Sequence, residues 1–300
     1  MLTLLAPAKV NLFLHVSGCR PDGYHELFTL MCPLTLFDRI RITSIPKGFR
    51  VRCNHPRVPE DDTNLAHRAA VRFARETIAR GKGPFCDGFQ IAIQKRIPVG
   101  AGLGGGSSDA AAVFCGLNRI YHHPFSSTEL MQMGRDIGAD VPFFVQDRPA
   151  LATGIGDRLQ TSPKLPPLAV LLIDPGIFVS TAEVYKNLDL GLTNCQKKHK
   201  DLPLEFRPSD LATRLCNDLE TVTLNAHPEI SEAKRLLVKN GSLAALMSGS
   251  GSAVFGLFDS RGKALRARAA IGRTQSWRMI LAELAVDGIY HPGCRKFDGF

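Results

Sequence analysis

Apolar and polar residues alternate along residues 8–16. Val10, Leu12, Leu14 and Val16 share one face, and Lys9, Asn11, Phe13 and His15 the other. A period of two predicts a strand. Arg39–Ile42 and Phe89–Gln94 alternate in the same way. Between them, Asn64–Arg80 places Leu65, Ala69 and Phe73 at helical spacing, with Gly81 as a stop. Ser107–Tyr121 and Thr128–Ile137 read as two more helices, the first with Ser107 as its N-cap. After a stretch rich in proline and glycine, Leu168–Ile173 reads as a buried strand closed by Asp174-Pro175-Gly176. Glu229–Lys239 is helical. Leu243–Met247 and Ala253–Phe258 suit two strands around Ser248-Gly-Ser-Gly-Ser252. The composition change near residue 155 divides the chain into domains 1–155 and 156–300. Residues 189–209 are polar and interrupted by proline, a mobile excursion, and 287–300 carry no readable motif.

The segment between the Phe89–Gln94 strand and the Ser107–Tyr121 helix holds the strongest chemistry. Five glycines fall between Gly100 and Gly106. Glycine tolerates positive φ and close backbone approach, so successive amides can converge on an anion. The helix start behind them adds partial positive charge. This is a phosphate-binding arrangement. Gly100, Gly102 and Gly105 match G-x-G-x-x-G, but Asn118–His123 lacks the acidic residue of a dinucleotide fold. No lysine follows the last glycine, which excludes a Walker loop, and H-R-D and D-F-G are absent.

The whole 98–108 segment, Pro98-Val99-Gly100-Ala101-Gly102-Leu103-Gly104-Gly105-Gly106-Ser107-Ser108, resembles the phosphate loop of the GHMP kinases. Two further segments resemble that family in order: Ala6–Leu12 at the N-terminal end and Met247–Ser252 at the C-terminal end. The resemblance implies an α+β, two-domain fold. Its N-terminal domain contains a left-handed βαβ unit and the loop; its C-terminal domain is α/β. The blocks Arg20–Glu26 and Gly138–Phe144 resemble a branch of the family that uses ATP to phosphorylate a cytidine diphosphate conjugate of methylerythritol at its 2-hydroxyl. Other GHMP kinases, and a non-catalytic binding protein of the same fold, are the alternatives.

That resemblance implies the site residues. Asp140 is the base and Lys9 its partner. Asn11 meets the polyol hydroxyls, Tyr24 stacks on the cytosine, His25 bonds its edge, and Thr181 and Tyr185 form the opposite wall. The loop 98–108 holds the ATP phosphates, with Asn64, Leu65 and Lys95 around the purine. Mg²⁺ arrives on the nucleotide near Ser107 or Ser108, without a protein metal cage.

Charge and composition adjust this picture. The net charge is +9 in 300 residues. It divides almost evenly, with no basic tail, so an anionic small molecule suits it better than nucleic acid. Eight cysteines are scattered without zinc spacing and read as reduced thiols. No apolar run reaches the roughly 20 residues of a membrane span. The expectation is a cytoplasmic monomer or weak homodimer that touches neither membrane nor nucleic acid.

Overall fold

The structure is a computed structural model that describes residues 1–81, 88–193, 195 and 201–289. It opens with two long strands, β1 (Leu2–Cys19) and β2 (His25–Ile45), paired antiparallel. The turn between them is built by Asp22 and Gly23. Gly23 stands at φ +84°, and the Asp22 carboxylate accepts from the Tyr24 amide at 3.1 Å. Next come β3 (Phe49–Cys53), α1 (Leu65–Ala79), β4 (Gly88–Gln94), α2 (Gly105–Ile120), α3 (Ser127–Arg135), α4 (Val141–Gln146), β5 (Ala150–Gly154) and β6 (Arg158–Thr161). The second half contains β7 (Ala169–Asp174), α5 (Thr181–Lys186), α6 (Pro208–Arg214), β8 (Cys216–Asn217), α7 (Glu220–Ala226), α8 (Pro228–Lys239), β9 (Ala244–Met247), β10 (Val254–Phe258), α9 (Arg261–Ile271) and β11 (Arg278–Glu283).

The first sheet runs β3-β4-β2-β1-β8, with β5 on the other end of β2 and β6 on β5. β2 is long enough to pair with β4 through Arg39–Ile45 and with β5 through Leu27–Met31. β3 and β4 are parallel, and α1 connects them. The second sheet is antiparallel, ordered β11-β7-β10-β9.

β1 is buried from Ala6 to Val16, both faces included, as expected of a strand covered on both sides. Leu4 and Ala6, with Ile40 and Ile42, pack under α1, α2 and α4. Val10 and Leu12 pack against Val170, Leu172, Phe255 and Leu257 of the second sheet. On the far side of that sheet, Leu171 and Ile173 meet Ile230, Leu237, Ala264 and Ile271 of α8 and α9. Alternation along β7 thus sends successive residues into two different cores.

Three expectations change. The β5–β6 hairpin runs across residue 155, so the first sheet continues to Thr161 before the second begins at Ala169, and β8 later returns to the first. The helix after the glycine loop starts earlier: Gly104, in the left-handed region at φ +70°, is the N-cap of α2, and Ser107 lies in its first turn. Cys195 and Cys216 are joined by a disulfide rather than reduced. Pairing of Cys216 with Phe13 and a 3.1 Å bond from the Cys195 amide to Asp218 bring their Cα atoms to 5.6 Å. In the 189–209 segment, a short helical turn at Leu190–Leu192 and a bridge from Glu205 to Lys164 are ordered features. Residues 194 and 196–200, and the tail from 290, lie outside the described residues.

Phe73 of α1 is fully buried, edge-on to Phe125 at 5.2 Å. Phe73→Ala is expected to cost about 3–5 kcal/mol of stability. Denaturant unfolding will measure it, and a loss below about 1 kcal/mol would mean that this core repacks.

Candidate active site

Two cavities meet at the glycine loop. One, of about 340 Å³, is lined by Asn64, Leu65, Lys95 and residues 98–107. The other, of about 1050 Å³, is lined by Lys9, Asn11, Tyr24, His25, Asp140, Thr181 and Tyr185. Gly102, Gly104 and Ser107 belong to both walls. Of the residues singled out from the sequence, Ser108 lies behind these surfaces, fully buried.

The loop takes its shape from alternating left-handed glycines: Gly100 at φ +73°, Gly102 at +74° and Gly104 at +70°. Its outer side presses on the Ser248–Ser252 turn. A Cβ added to Gly102 would stand 2.0 Å from the Ser248 carbonyl oxygen. The Ser248 hydroxyl donates to the Gly102 carbonyl at 3.0 Å, and the Ala253 amide to that of Ala101 at 3.2 Å. Behind the turn, the Asn217 amide group donates to the Met247 and Gly249 carbonyls at 2.9 and 2.7 Å. On its inner side, Lys9 donates its backbone N–H to Leu103 at 3.0 Å, and a Cβ at Gly104 would strike the Phe144 ring at 2.8 Å.

At the junction, the Lys9 ammonium lies 3.6 Å from the Asp140 carboxylate and 2.5 Å from Asn11 Oδ1. Asn11 donates to Thr29 Oγ1 at 2.9 Å, and Thr29 to the Phe13 carbonyl at 2.6 Å. The β1–β2 pairing shifts register on either side of Lys9 and Asn11, and such bulges re-aim side chains beside a site. Asp140 stands at the N-cap of α4, and its carboxylate makes no cap bond. It is therefore turned to the cavity, with 31% of its side chain exposed, while Lys9 is 6% exposed.

At the far end of the larger cavity, His25 and Tyr185 face one another with ring centroids 5.0 Å apart. Tyr24 is 57% exposed. The ring opposite Tyr185 is therefore that of His25, because the Asp22-Gly23 turn directs Tyr24 outward. Burial, and then the charge of Asp140, raise the Tyr185 phenol well above its ordinary range, so it stays protonated. Thr181 Oγ1 and Ser250 Oγ lie 2.8 Å apart and join α5 to the serine–glycine turn.

Lys95 lines the smaller cavity, but its ammonium is committed elsewhere. It bonds Asp38, and Asp109 at 2.8 Å, with all three side chains almost fully buried. Burial pulls the Lys95 ammonium down, but Asp109 and Asp38 outweigh it and the net shift is upward. Burial pushes Asp109 up to about 8, against the pull of Lys95. The sequence contained a signal for Asp38: it is in phase with the buried Ile40 and Ile42, and a charge on a buried face needs partners. Asn217 and Thr29 carried no such signal, since their partners are backbone groups or residues distant in sequence.

These features are those of a phosphate loop beside an acid–lysine pair, and comparison with known proteins agrees. Residues 64–148 match the model of the GHMP kinases N terminal domain, and 207–275 that of the GHMP kinases C terminal. A 4-diphosphocytidyl-2-C-methyl-D-erythritol kinase from Geobacter sp. (strain M21) is 48% identical over 279 residues, covering 92% of this chain and 96% of the relative. One from Syntrophus aciditrophicus (strain SB) is 43% identical over 277 residues, covering 92% and 97%. This chain belongs to the 4-diphosphocytidyl-2-C-methyl-D-erythritol kinase family of GHMP kinases. A crystal structure of a kinase of that name superposes with a TM-score of 0.78 at 38% identity, covering 94% of this chain and 99% of the other. A homoserine kinase from Cytophaga hutchinsonii, at 18% identity and a TM-score of 0.70 over 95% of this chain and 94% of that one, shares the fold. The chain is thus an ATP-dependent kinase of a small molecule, with the α+β GHMP fold.

Two outcomes test this geometry. Gly102→Ala meets both a 2.0 Å clash with backbone and an unfavourable φ. It is expected to abolish nucleotide binding or folding, and a stable variant with unchanged ATP affinity would contradict the packing described. The second concerns Asp109. Its folded pKa of about 8 lies above the ordinary 3.8, so between those values the folded state holds a proton that the unfolded state lacks. Asp109 therefore withdraws stability as pH rises through that interval. Asp109→Asn does not titrate, so its Tm relative to wild type should climb from pH 5 to pH 9 in thermal denaturation. A gap that does not change with pH would contradict the assignment.

Proposed function

We propose that the protein transfers the γ-phosphoryl group of ATP to the 2-hydroxyl of 4-diphosphocytidyl-2-C-methyl-D-erythritol. The observation that carries the reading is the meeting of the two cavities at Gly102, Gly104 and Ser107, with the Lys9–Asp140 pair opening into the larger one at that place. ATP in the smaller cavity would direct its terminal phosphate through this junction. The acceptor hydroxyl would approach from the other side, beside Asp140.

Phosphoryl transfer asks a protein for alignment and charge stabilisation more than for covalent chemistry. The amides of residues 99–106 and the N-terminus of α2 supply the first electrostatic contribution. Asp140 accepts the hydroxyl proton. Lys9, 3.6 Å away, orients Asp140 and is held in turn by Asn11 and Thr29. Asn11 also reaches the polyol hydroxyls. Asn64 and Leu65 border the purine. Lys95 reaches it only through backbone, given its ammonium's other partners. The Ser108 hydroxyl is buried without a partner at the start of α2, and Ser107 lines both cavities. Of the two, Ser107 is the one that would meet Mg²⁺ carried on the nucleotide, which would offset the charge of the β- and γ-phosphates.

The larger cavity has the length the substrate needs. Along β2, Met31 (partner of Asn11) to His25 is six residues, about 20 Å at strand rise. The cytosine lies against Tyr185, and its entry requires the His25 ring, now 5.0 Å from Tyr185, to move aside to the base's other face or edge beside Tyr24. Lys186, which also lines this cavity, offers the diphosphate a cation. The reading places the enzyme in the cytoplasm as a monomer or weak homodimer that needs no membrane or nucleic acid.

Asp140→Asn should lower kcat by on the order of 10²–10⁴ while the KM values change little. A coupled ADP-release assay measures this, and wild-type turnover in the variant would remove Asp140 from the role of base. Tyr185→Ala should raise KM for the cytidine substrate more than KM for ATP. Equal increases would contradict its position at the cytosine.

A further inference from the structure

The two feet of the glycine loop are held from beneath its ligand-facing surface. The loop enters through residues 95–97 and leaves into α2, which begins at Gly105. Both feet converge on one buried cluster of titratable side chains. The Lys95 ammonium, from the entering foot, bonds Asp109 Oδ2 on the departing helix at 2.8 Å, and also Asp38 Oδ2 on β2. The other Asp38 oxygen accepts from the Arg96 and Ile97 amides at 2.5 and 2.9 Å, the last two before Pro98. Lys95 lies directly beneath the helix start, since a Cβ on Gly105 would stand 3.0 Å from its Nζ. Lys95 and Asp109 are 4% exposed and Asp38 is fully buried, so water does not screen the bonds.

We propose that Asp109 and Asp38, acting through Lys95, are positioning residues that fasten the two feet of the glycine loop together and so set the spacing at which its amides meet the ATP phosphates. None of the three needs to touch ATP with its side chain. The proposal rests on the reading of this loop as the ATP site. The energetics favour fastening over plain stability. A buried ion group is weak as a source of stability, and apolar replacement can be neutral, but it holds its members in one geometry. Asp109 Oδ1 is buried without a hydrogen-bond partner, and Lys95 is the cation that Asp109 Oδ2 meets. Cys53, at the end of β3, and His55, just beyond it, are the other titratable groups that feel this cluster.

The test separates fastening from folding. Asp109→Leu keeps the branching at Cγ, leaves Lys95 paired with Asp38, and cuts the link to α2. It is expected to raise KM for ATP about tenfold or more, as a misplaced binding loop does. The kcat at saturating ATP and KM for the cytidine substrate should stay within about threefold of wild type. Asp109→Asn, whose amide oxygen can still accept from Lys95, should return KM for ATP to within about threefold. If Asp109→Leu does not fold, Asp109→Ser, too short to reach Lys95, gives the same readout. An unchanged KM for ATP in a folded Leu or Ser variant, or a similar rise in KM for both substrates, would overturn the proposal. Direct titration of wild type with a fluorescent ATP analogue keeps the two readings apart. If wild type binds no nucleotide, the ATP site itself is misassigned. If wild type and Asp109→Leu bind equally well, only the fastening is wrong.

Discussion

The glycine loop is pressed so closely against the Ser248–Ser252 turn that no side chain fits at Gly102. The arrangement of the site follows from that contact. It joins a segment from the first sheet to one from the second, and it places the cavities on either side of one strip of backbone. Two networks hold the contact in place. Asn217 grips the serine–glycine turn from behind, and the Lys95 cluster holds the loop from below. Backbone against backbone is a demanding contact, because each polar group left buried needs a partner. Here the Ser248 hydroxyl and the Ala253 amide supply partners for Gly102 and Ala101.

Strand β1 links this loop to the chemistry. Its apolar residues divide between two cores, and its bulges turn Lys9 and Asn11 toward the junction. The Lys9 backbone bonds the loop at Leu103, while its side chain approaches Asp140. One residue thus connects the backbone of the glycine loop to the carboxylate. Asp140 owes its freedom to a helix start that does not use it as a cap. The same turn places Phe144 against Gly104, so the loop and Asp140 share a wall.

The sequence revealed much of this, in proportion to how local each signal is. Period-two alternation located the strands, and Gly100–Gly106 marked the loop, since dense glycine between a strand and a helix has few other uses. Boundaries were less legible. Ser107 looked like a cap, but a left-handed Gly104 ended the loop first. A composition change suggested a boundary at 155, whereas pairing of β6 with β5 carries the first sheet to Thr161. Long-range contacts were not legible at all. The Cys195–Cys216 bond, the His25–Tyr185 stack and the grip of Asn217 each join residues whose neighbours in sequence say nothing about the partner. Asp38 lies between these cases: its phase revealed that it is buried, but not that Lys95 would meet it.

The central claim is the transfer of phosphate between ligands that occupy opposite sides of one loop. Incubating the purified protein with ATP, Mg²⁺ and 4-diphosphocytidyl-2-C-methyl-D-erythritol, and following the mixture by phosphorus NMR, tests it most directly. The account predicts a new phosphomonoester on the 2-carbon, appearing one-to-one with ADP, with the diphosphate bridge intact. ATP hydrolysed to free phosphate without that phosphomonoester, or no reaction with this alcohol while a different one is phosphorylated, would contradict it.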